Sequence, residues 1–316
     1  MVSFFARGVA LLLGLAATVP AAAQTFPNHP ITMVVAFPAG GPTDVIARLV
    51  AERMASRLGR QILVENVAGA GGTIGAARVA RAAPDGYTLL LHQLALAAGA
   101  ALYAHLPYDT VAAFDGIGLV NYEPMVIVGR KSLPAGSLAE LVAWMRDNRA
   151  HVTFAHSGIG TPAHLCEVLF VNGIGAQVIE VPYRGGGPAL NDVLAEQVDL
   201  FCGQSFGAVG QIRSRAIYGF AVTSPARVAA LPELPSLEEA GFKGLAAVVW
   251  HGLYAPRGTP PAVIARLNAA LRDALADRGL RERFARHRLA ALRRRPVDSG
   301  GGPTSCWSTK SRNGPR

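Results

Sequence analysis

A repeated local pattern constrains the fold of this chain more than any other feature. An apolar run ends in a Gly- or Pro-rich turn, and an amphipathic stretch follows. In the first unit, Ile31–Ala36 has the pattern of a buried strand, Phe37–Thr43 that of a turn, and Asp44–Leu58 that of a helix with apolar residues at helical spacing. Such alternation is typical of βα units around parallel sheets, so the pattern predicts an α/β protein.

Two sets of these units predict two βα lobes with a hinge and a central ligand cleft. A chain of 316 residues also exceeds the size at which a single core stops growing. Further strands are expected at Ile62–Glu65, Thr88–His92, Met125–Val128, His151–Ala155, Val178–Val181, Val198–Phe201, Ile217–Val222 and Ala247–Tyr254, and further helices at Thr161–Phe170, Pro188–Glu196 and Pro260–Ala276. We expect lobe 1 to comprise residues 24–124 plus 248–292 and lobe 2 to comprise residues 125–247.

The N-terminal residues predict export. Arg7 is a basic residue ahead of the apolar stretch Val9–Val19, and Ala21–Ala23 supplies the small residues of a cleavage site. This pattern is that of a cleaved secretory signal peptide over residues 1–23, and the apolar stretch is too short to span a bilayer. The alternative is a buried N-terminal helix. Export with cleavage would make the mature protein periplasmic.

The net charge of +9 does not predict a nucleic-acid partner, because the excess is concentrated at one end. Residues 286–316 contain eight Lys and Arg against a single acidic residue, Asp298. A basic tail is not a basic groove, and no aromatic residues alternate with the basic ones to stack on bases. We expect no nucleic-acid binding.

Three Gly-rich turns are the candidate ligand-binding segments: Phe37–Asp44, Ser157–His164 and Tyr183–Pro188. Each is expected at the carboxyl end of a strand and before a helix, where open α/β sheets bind ligands. The free amides at a helix N-terminus favour an anion. For any one turn, a tight strand-to-helix connection is an adequate explanation. Two such turns from different lobes favour a shared clamp for a carboxylate.

No motif of the chain predicts catalysis, a metal or a cofactor. Gly69–Gly75 departs from dinucleotide-binding spacing and lacks the acidic residue after a second strand, the histidines show no HExxH pair, and Ser157 lacks the GxSxG context. We expect a binding protein without a cofactor. An exported α/β hydrolase or dehydrogenase, and a ligand-sensing partner of a signalling receptor, remain alternatives. The three cysteines, Cys166, Cys202 and Cys306, permit a disulfide whose connectivity the pattern leaves open.

The ordered motifs resemble the tripartite tricarboxylate transporter receptor family, also called Bug receptors. They include Pro30–Asp44, His156–Leu165, Val181–Leu190, Leu231–Pro235 and Trp250–Pro256. The resemblance runs from about residue 26 to residue 289. It implies a type II periplasmic binding protein fold that closes around a small carboxylate in the cleft between its lobes. It also implies a monomer that delivers this ligand to the permease subunits of a tripartite tricarboxylate transporter.

The resemblance assigns the ligand contacts to the three turns and to the segment after Asp199. The residues expected on this basis are Phe37, Pro38, Ala39, Gly40, Gly41, Thr43, Asp44, Ser157, Gly158, Gly160, Thr161, His164, Tyr183, Gly185, Gly186 and Gln204. The first two turns would hold the carboxylate through backbone amides and ordered water. Relatives carrying both Cys166 and Cys202 positions further imply a disulfide between them, with two separate buried thiols as the alternative.

The C-terminal residues 293–316 depart from the family pattern, which ends in a helix with a Trp near its close. Here Arg293–Pro296 leads into a Gly-rich tail that we expect to be disordered. With permitted synonymous codons, Cys306–Arg316 read two nucleotides later can encode Leu-Val-Asp-Glu-Ile-Glu-Lys-Trp-Ala-Pro. Our hypothesis is that this tail is a frame-shifted form of the family's terminal helix.

Overall fold

The computed structural model describes residues 26–149, 151–286 and 290–291. The predicted signal peptide over residues 1–23 and the atypical tail over residues 293–316 lie outside the described residues, and so does the frame-shift hypothesis. Among the described helices, none is both long enough and apolar enough to cross a membrane.

Strands and helices alternate along most of the chain. The strands are β1 (Ile31–Val35), β2 (Ile62–Asn66), β3 (Thr88–Gln93), β4 (Phe114–Gly129), β5 (Thr153–His156), β6 (Ile179–Pro182), β7 (Leu200–Gln204), β8 (Tyr218–Val222), β9 (Val248–Pro256) and β10 (Ala290–Ala291). The helices are α1 (Pro42–Leu58), α2 (Thr73–Ala80), α3 (Ala95–Leu102), α4 (Leu138–Asp147), α5 (Pro162–Ile174), α6 (Gly186–Leu194), α7 (Ser205–Arg213), α8 (Pro261–Ala276) and α9 (Arg278–Arg286).

The strands form two sheet regions that share β4. In the first region the order is β2-β1-β3-β9-β4, with β1 parallel to β2 and β3, and β9 antiparallel to β3 and β4. In the second region β4 pairs with β8 and β7, and β5 lies parallel to both β7 and β6. We call these regions, with their helices, lobe 1 and lobe 2.

Strand β4 joins the lobes because its two halves pair with different partners. Up to Pro124, which lies opposite Val248, it pairs with β9. From Met125, which lies opposite Gln204, it pairs with β7. Two separate apolar clusters pack on the two sides of this transition, one over lobe 1 and one over lobe 2. The lobe limits predicted at 124/125 and 247/248 are consistent with these pairs and stay a prediction.

Helix α1 shows how the sequence produces a βα unit. Its apolar residues, including Ile46, Val50 and Met54, are fully buried against the sheet. Gly59, with φ of 72°, ends the helix in the left-handed conformation, and its amide donates to the carbonyl of Ala55. Pro42 occupies the first turn, where the missing N–H costs nothing. The unit therefore presents its uncapped N-terminus at the carboxyl end of β1.

The predicted fold class is confirmed, with differences in individual elements. Strand β4 spans Phe114–Gly129, whereas the sequence predicted only Met125–Val128. The missed half contains Asp115, Asn121 and Glu123, polar residues that weaken an apolar strand pattern. Helix α6 begins at Gly186 rather than at Pro188. Helices α3, α4, α7 and α9 were not predicted.

Candidate ligand-binding site

A cavity of about 190 Å³ lies between the lobes, where β1, β5 and β7 end. Both lobes supply its lining, and half of the predicted contact residues take part: Phe37, Pro38, Gly40, Gly41, Thr43, Ser157, Gly186 and Gln204. This volume suits a small metabolite and is below the range for drug-sized ligands.

Helices α1 and α6 both begin at this cavity, one in each lobe. Pro42 and Thr43 of α1 line it from lobe 1, and Gly186 and Gly187 of α6 line it from lobe 2. Within the described part of the chain, no side chain caps the first turn of either helix. The first-turn amides of an uncapped helix carry partial positive charge, so the two helix ends together favour an anion between them.

Helices α5 and α7 also begin beside the cavity, but side chains cap their first turns. Thr161 accepts a hydrogen bond from the His164 amide of α5 at 3.4 Å. The carboxyl group of Glu123 accepts from the Phe206 amide of α7, and from the Ser205 hydroxyl at 3.3 Å. The clamp predicted from the sequence between α1 and α5 stays a prediction; among the described helices that begin at the cavity, α1 and α6 are the two whose first turns no side chain caps.

Among the described residues that line the cavity, none is charged at neutral pH. The polar lining side chains are Thr43, Gln93, Ser157, Asn191, Gln204 and Gln211, and the larger apolar ones are Phe37, Met125, Leu190, Phe201 and Phe206. An anion in this cavity would therefore rely on backbone amides and neutral side-chain donors rather than on an ion pair.

A buried chain of hydrogen bonds fixes the Thr43 hydroxyl. The Thr43 Oγ1 atom lies 3.1 Å from His251 Nε2, and His251 Nδ1 lies 2.8 Å from Asn121 Oδ1. Burial, with a smaller effect from His92, lowers the pKa of His251 to about 3, so the ring is neutral. Since Asn121 Oδ1 can only accept, Nδ1 carries the ring proton, and the Thr43 hydroxyl donates to Nε2.

Asp44 was predicted as a ligand contact, but it supports the first turn instead of lining the cavity. Its carboxylate accepts from the Gly40 amide, from Arg48 Nε and from Asn66 Nδ2, each at 2.9 Å. Burial alone would raise the pKa of Asp44, but these hydrogen bonds outweigh it and the pKa lies below its usual range. The ionised carboxylate thus holds the Gly40–Gly41 backbone in place.

Other predicted contacts also lie outside the cavity lining: Ala39, Gly158, Gly160, Thr161, His164, Tyr183 and Gly185. Thr161 is fully buried, and its hydroxyl donates to the Gly158 carbonyl at 2.6 Å. The Tyr183 hydroxyl donates to Asp192 Oδ2 at 2.6 Å. Gly185 lies against Pro38 of the opposite lobe. In this geometry they shape the turns and the contact between lobes, and whether they touch ligand stays a prediction.

The sequence reasoning missed Gln93 at the cavity. It ends β3 in lobe 1, is only 3% exposed, and lines the same cavity as Gln204 of lobe 2. The Oε1 atoms of both side chains are enclosed without a partner, which leaves their amide nitrogens as the groups available to a ligand. A glutamine at the carboxyl end of a parallel strand was the signal that could have indicated it.

The predicted disulfide is present. Cys166 of α5 and Cys202 of β7 are bonded, with Cα atoms 6.2 Å apart. Cys202 also lines the cavity. The bond therefore ties the helix that follows the second turn to the strand on the cavity wall.

A cluster beside the second turn has metal-ligating residue types but poor geometry for a metal. Ligand atoms of His156, His164 and Glu180 lie within 4.8 Å of one another. The Nδ1 atoms of the two histidines accept the amides of Gly158 and Gly160, at 3.2 and 3.3 Å. Each ring then carries its proton on Nε2, which removes that nitrogen as a metal ligand. The histidines hold the turn instead.

Comparison with known proteins identifies the class that this fold and cleft define, a solute-binding receptor of the periplasmic binding protein type. Residues 46–293 match the Tripartite tricarboxylate transporter family receptor. A protein of the TAR-I ttuE-ttuC' intergenic region of Agrobacterium vitis is 43% identical over 88% of this chain and 81% of its own length. BugT of Bordetella pertussis is 37% identical over 86% of this chain and 83% of its own.

Solved structures agree with these relatives. The periplasmic binding protein BugD is 42% identical, with a TM-score of 0.83 over 84% of this chain and 89% of its own. MatC from Rhodopseudomonas palustris, solved with malate, is 36% identical, with a TM-score of 0.82 over 85% of this chain and 92% of its own. An R. palustris protein solved with adipate is 29% identical, with a TM-score of 0.83 over 89% of this chain and 92% of its own.

The chain belongs to the tripartite tricarboxylate transporter receptor family. The family and the solved structures named above are those of solute-binding proteins, so this protein is a binding receptor and not an enzyme.

Proposed function

We propose that this receptor captures a small carboxylate by closing its two lobes, and that the backbone amides of α1 and α6 bind the carboxylate group. The observation that carries the proposal is the cavity of about 190 Å³ to which each lobe contributes one uncapped helix end. An anion placed there interacts favourably with both ends. Because one helix belongs to each lobe, the ligand bridges the lobes and stabilises the closed state.

The uncharged lining supports an acid whose carboxylates are bound by backbone amides and neutral side-chain donors and not by an ion pair. Gln93 and Gln204 supply neutral donors from the two lobes, and Phe37 and Phe201 supply apolar surface. Relatives solved with malate and with adipate show that this fold accommodates small dicarboxylates of different length. The amides that bind a carboxylate do not distinguish what is attached to it, so the neutral side chains select the ligand.

A thermal-shift screen tests the proposal. The protein is first unfolded, dialysed and refolded to remove prebound ligand, and is then heated with malate, adipate, other di- and tricarboxylates, aromatic acids and amino acids. At a hundredfold excess over Kd, a bound acid stabilises the folded state by about 2.7 kcal/mol. The dimethyl ester of the same acid is the matched control and should give no shift. No shift with any acid at millimolar concentration would contradict the proposal.

Delivery and location follow from the family and remain proposals for this chain. The receptor would work in the periplasm after cleavage of residues 1–23, as a monomer, and would present its ligand to the permease subunits of a tripartite tricarboxylate transporter. N-terminal sequencing of the exported protein should start at Gln24. A mature protein that keeps its first residues would contradict the export proposal.

A further inference from the structure

A hydrogen bond joins the two lobes outside the ligand cavity. Tyr103 follows α3 in lobe 1, and its hydroxyl donates to the carbonyl oxygen of Ile159 in lobe 2 at 3.1 Å. Neither residue lines the cavity. The bond therefore depends on the approach of the lobes and not on contact with ligand.

The backbone around this bond has no room for a side chain. A Cβ atom on Gly71 of lobe 1 would lie 2.5 Å from the Ile159 carbonyl oxygen and 2.8 Å from the Tyr103 hydroxyl. A Cβ atom on Gly158 would lie 3.4 Å from the Cα atom of Gly71. Glycine at position 71 is thus what allows the donor and the acceptor to meet, whereas at Gly158 the distance is an ordinary contact and the φ of 117° is what favours glycine.

Ile159 lies in the middle of the turn Ser157–Thr161, whose first residue lines the cavity. The amides on either side of Ile159, at Gly158 and Gly160, donate to the two histidines of lobe 2. The Gly160 amide shares a peptide plane with the Ile159 carbonyl, so its bond to His164 points that carbonyl in the opposite direction, where Tyr103 donates to it. Partial burial of the Tyr103 ring also raises the pKa of its hydroxyl, which accordingly stays protonated and able to donate.

We propose that Tyr103 is a positioning residue that latches the closed state by donating a hydrogen bond across the cleft to the Ile159 carbonyl. The proposal rests on the proposed closing of the lobes. In the open state both groups would be hydrated. Closure exchanges these hydrogen bonds with water for one direct bond, at a site that no ligand atom occupies.

The test needs a measure of closure that does not depend on knowing the ligand. Pro38 and Gly185 provide it, because the Cβ atom of Pro38 lies 3.9 Å from the Cβ position of Gly185 on the opposite lobe. Disulfides form at Cβ–Cβ distances of about 3.5–4.5 Å. A Pro38→Cys/Gly185→Cys protein, with Cys306→Ser to remove the third thiol, should cross-link under mild oxidant each time the lobes close.

The experiment compares cross-linking rates with and without Tyr103→Phe, in ligand-free protein. Loss of one neutral hydrogen bond should slow cross-linking about threefold to tenfold, in proportion to the loss of closed state. Tyr218→Phe, which removes the hydroxyl of an exposed tyrosine beside Phe220, is the matched control and should leave the rate unchanged. Equal rates for the Tyr103→Phe protein and its parent would overturn the latch.

A second measurement separates a latch from an ordinary structural contact. Tyr103→Phe in the otherwise native chain should leave the ligand-free melting temperature unchanged, since the open state lacks the bond. A lower melting temperature with an unchanged cross-linking rate would assign Tyr103 to lobe stability and overturn the proposal. If the parent cross-links but no acid shifts its melting temperature, the carboxylate proposal fails while the latch result stands.

Discussion

Gly185 is the residue at which the structure allows closure to be blocked most cleanly. Its φ of 172° is extended backbone that any residue adopts. A Cβ atom there would nevertheless lie 2.6 Å from Pro38 Cδ of the opposite lobe. The conflict exists only when the lobes are together, so a substitution should act on closure and not on folding.

We expect Gly185→Ala to weaken ligand binding about tenfold or more, because overpacking of this kind costs about 1–3 kcal/mol in the closed state. Gly210→Ala on α7 is the matched control, since nothing lies within 4 Å of its Cβ position. Calorimetric titration of both variants with an acid found in the thermal-shift screen provides the measurement. Equal affinity for Gly185→Ala and the native chain would show that the lobes do not approach at this point when ligand binds.

Four buried ionisable residues set opposite pH dependences of stability. Burial raises the pKa values of Glu123 and Glu167 from 4.5 to about 8. Their contribution to the free energy of unfolding is therefore lost as the pH rises from about 4.5 to about 8. Burial lowers the pKa of His92 from 6.5 to about 4 and that of His251 to about 3, so their contribution is lost as the pH falls below 6.5.

The four titrations predict a plateau of stability with a decline on each side. Between about pH 4.5 and 6.5, the carboxyl groups lower the free energy of unfolding as the pH rises and the histidines raise it, so the two effects offset each other. Above about pH 6.5 the effect of the carboxyl groups dominates, and below about pH 4.5 that of the histidines dominates. Urea denaturation of ligand-free protein from pH 4 to pH 9 should show this shape. The Glu123→Gln/Glu167→Gln variant should lose most of the decline above pH 6.5. An unchanged decline in that variant would contradict the assignment.

At the scale of elements, the βα units were predictable because each combines a buried strand, a turn and a helix with one apolar face. The first unit shows this, with its Gly40–Gly41 turn located at the cavity as expected. The sequence could not predict that α1 and α6 are the uncapped helices at the cavity, since this depends on whether a side chain from elsewhere in the chain caps each helix. Thr161 could be recognised as a cap, but the capping of α7 by Glu123 comes from a residue 83 positions away in sequence.

Side-chain direction limited the prediction of the site in a similar way. Tyr183 follows β6 as expected, but its hydroxyl donates to Asp192 instead of lining the cavity. Gln93 lines the cavity from the end of β3, where no glycine or proline marks a turn. Turn composition therefore located the correct edge of each sheet, while tertiary packing decided which side chains at that edge line the cavity.

The Cys166–Cys202 disulfide gives a test at this scale. It closes a loop with a sequence separation of 36, which contributes roughly 3–4 kcal/mol in the chain-entropy model. We expect Cys166→Ala/Cys202→Ala to lower the free energy of unfolding by about this amount, measured by urea denaturation. Cys306→Ala is the control and should have little effect. Thiol counting of the denatured, unreduced native chain should find one free thiol, and three would contradict the bond.

At the scale of the molecule, the two lobes form a cleft whose walls, we propose, recognise different parts of a ligand. Helix ends supply positive potential from both sides, the glutamines supply neutral donors, and the disulfide ties α5 to the lobe 2 wall. The contacts between lobes at Tyr103 and at Gly185 lie on residues other than the α1 and α6 first turns, although those turns also approach each other, with the Cβ position of Gly187 3.7 Å from the Gly41 Cα atom. Closure and carboxylate recognition can therefore be altered separately by substitution.

The central claim is that the amides of α1 and α6 hold a carboxylate between the lobes. A crystal structure with the acid that gives the largest thermal shift tests it most directly. We expect a closed molecule in which one carboxylate group accepts hydrogen bonds, directly or through water, from the first-turn amides of both helices, near Thr43 and Gly187. An acid bound elsewhere, or held by a charged side chain while these amides remain hydrated, would contradict the account.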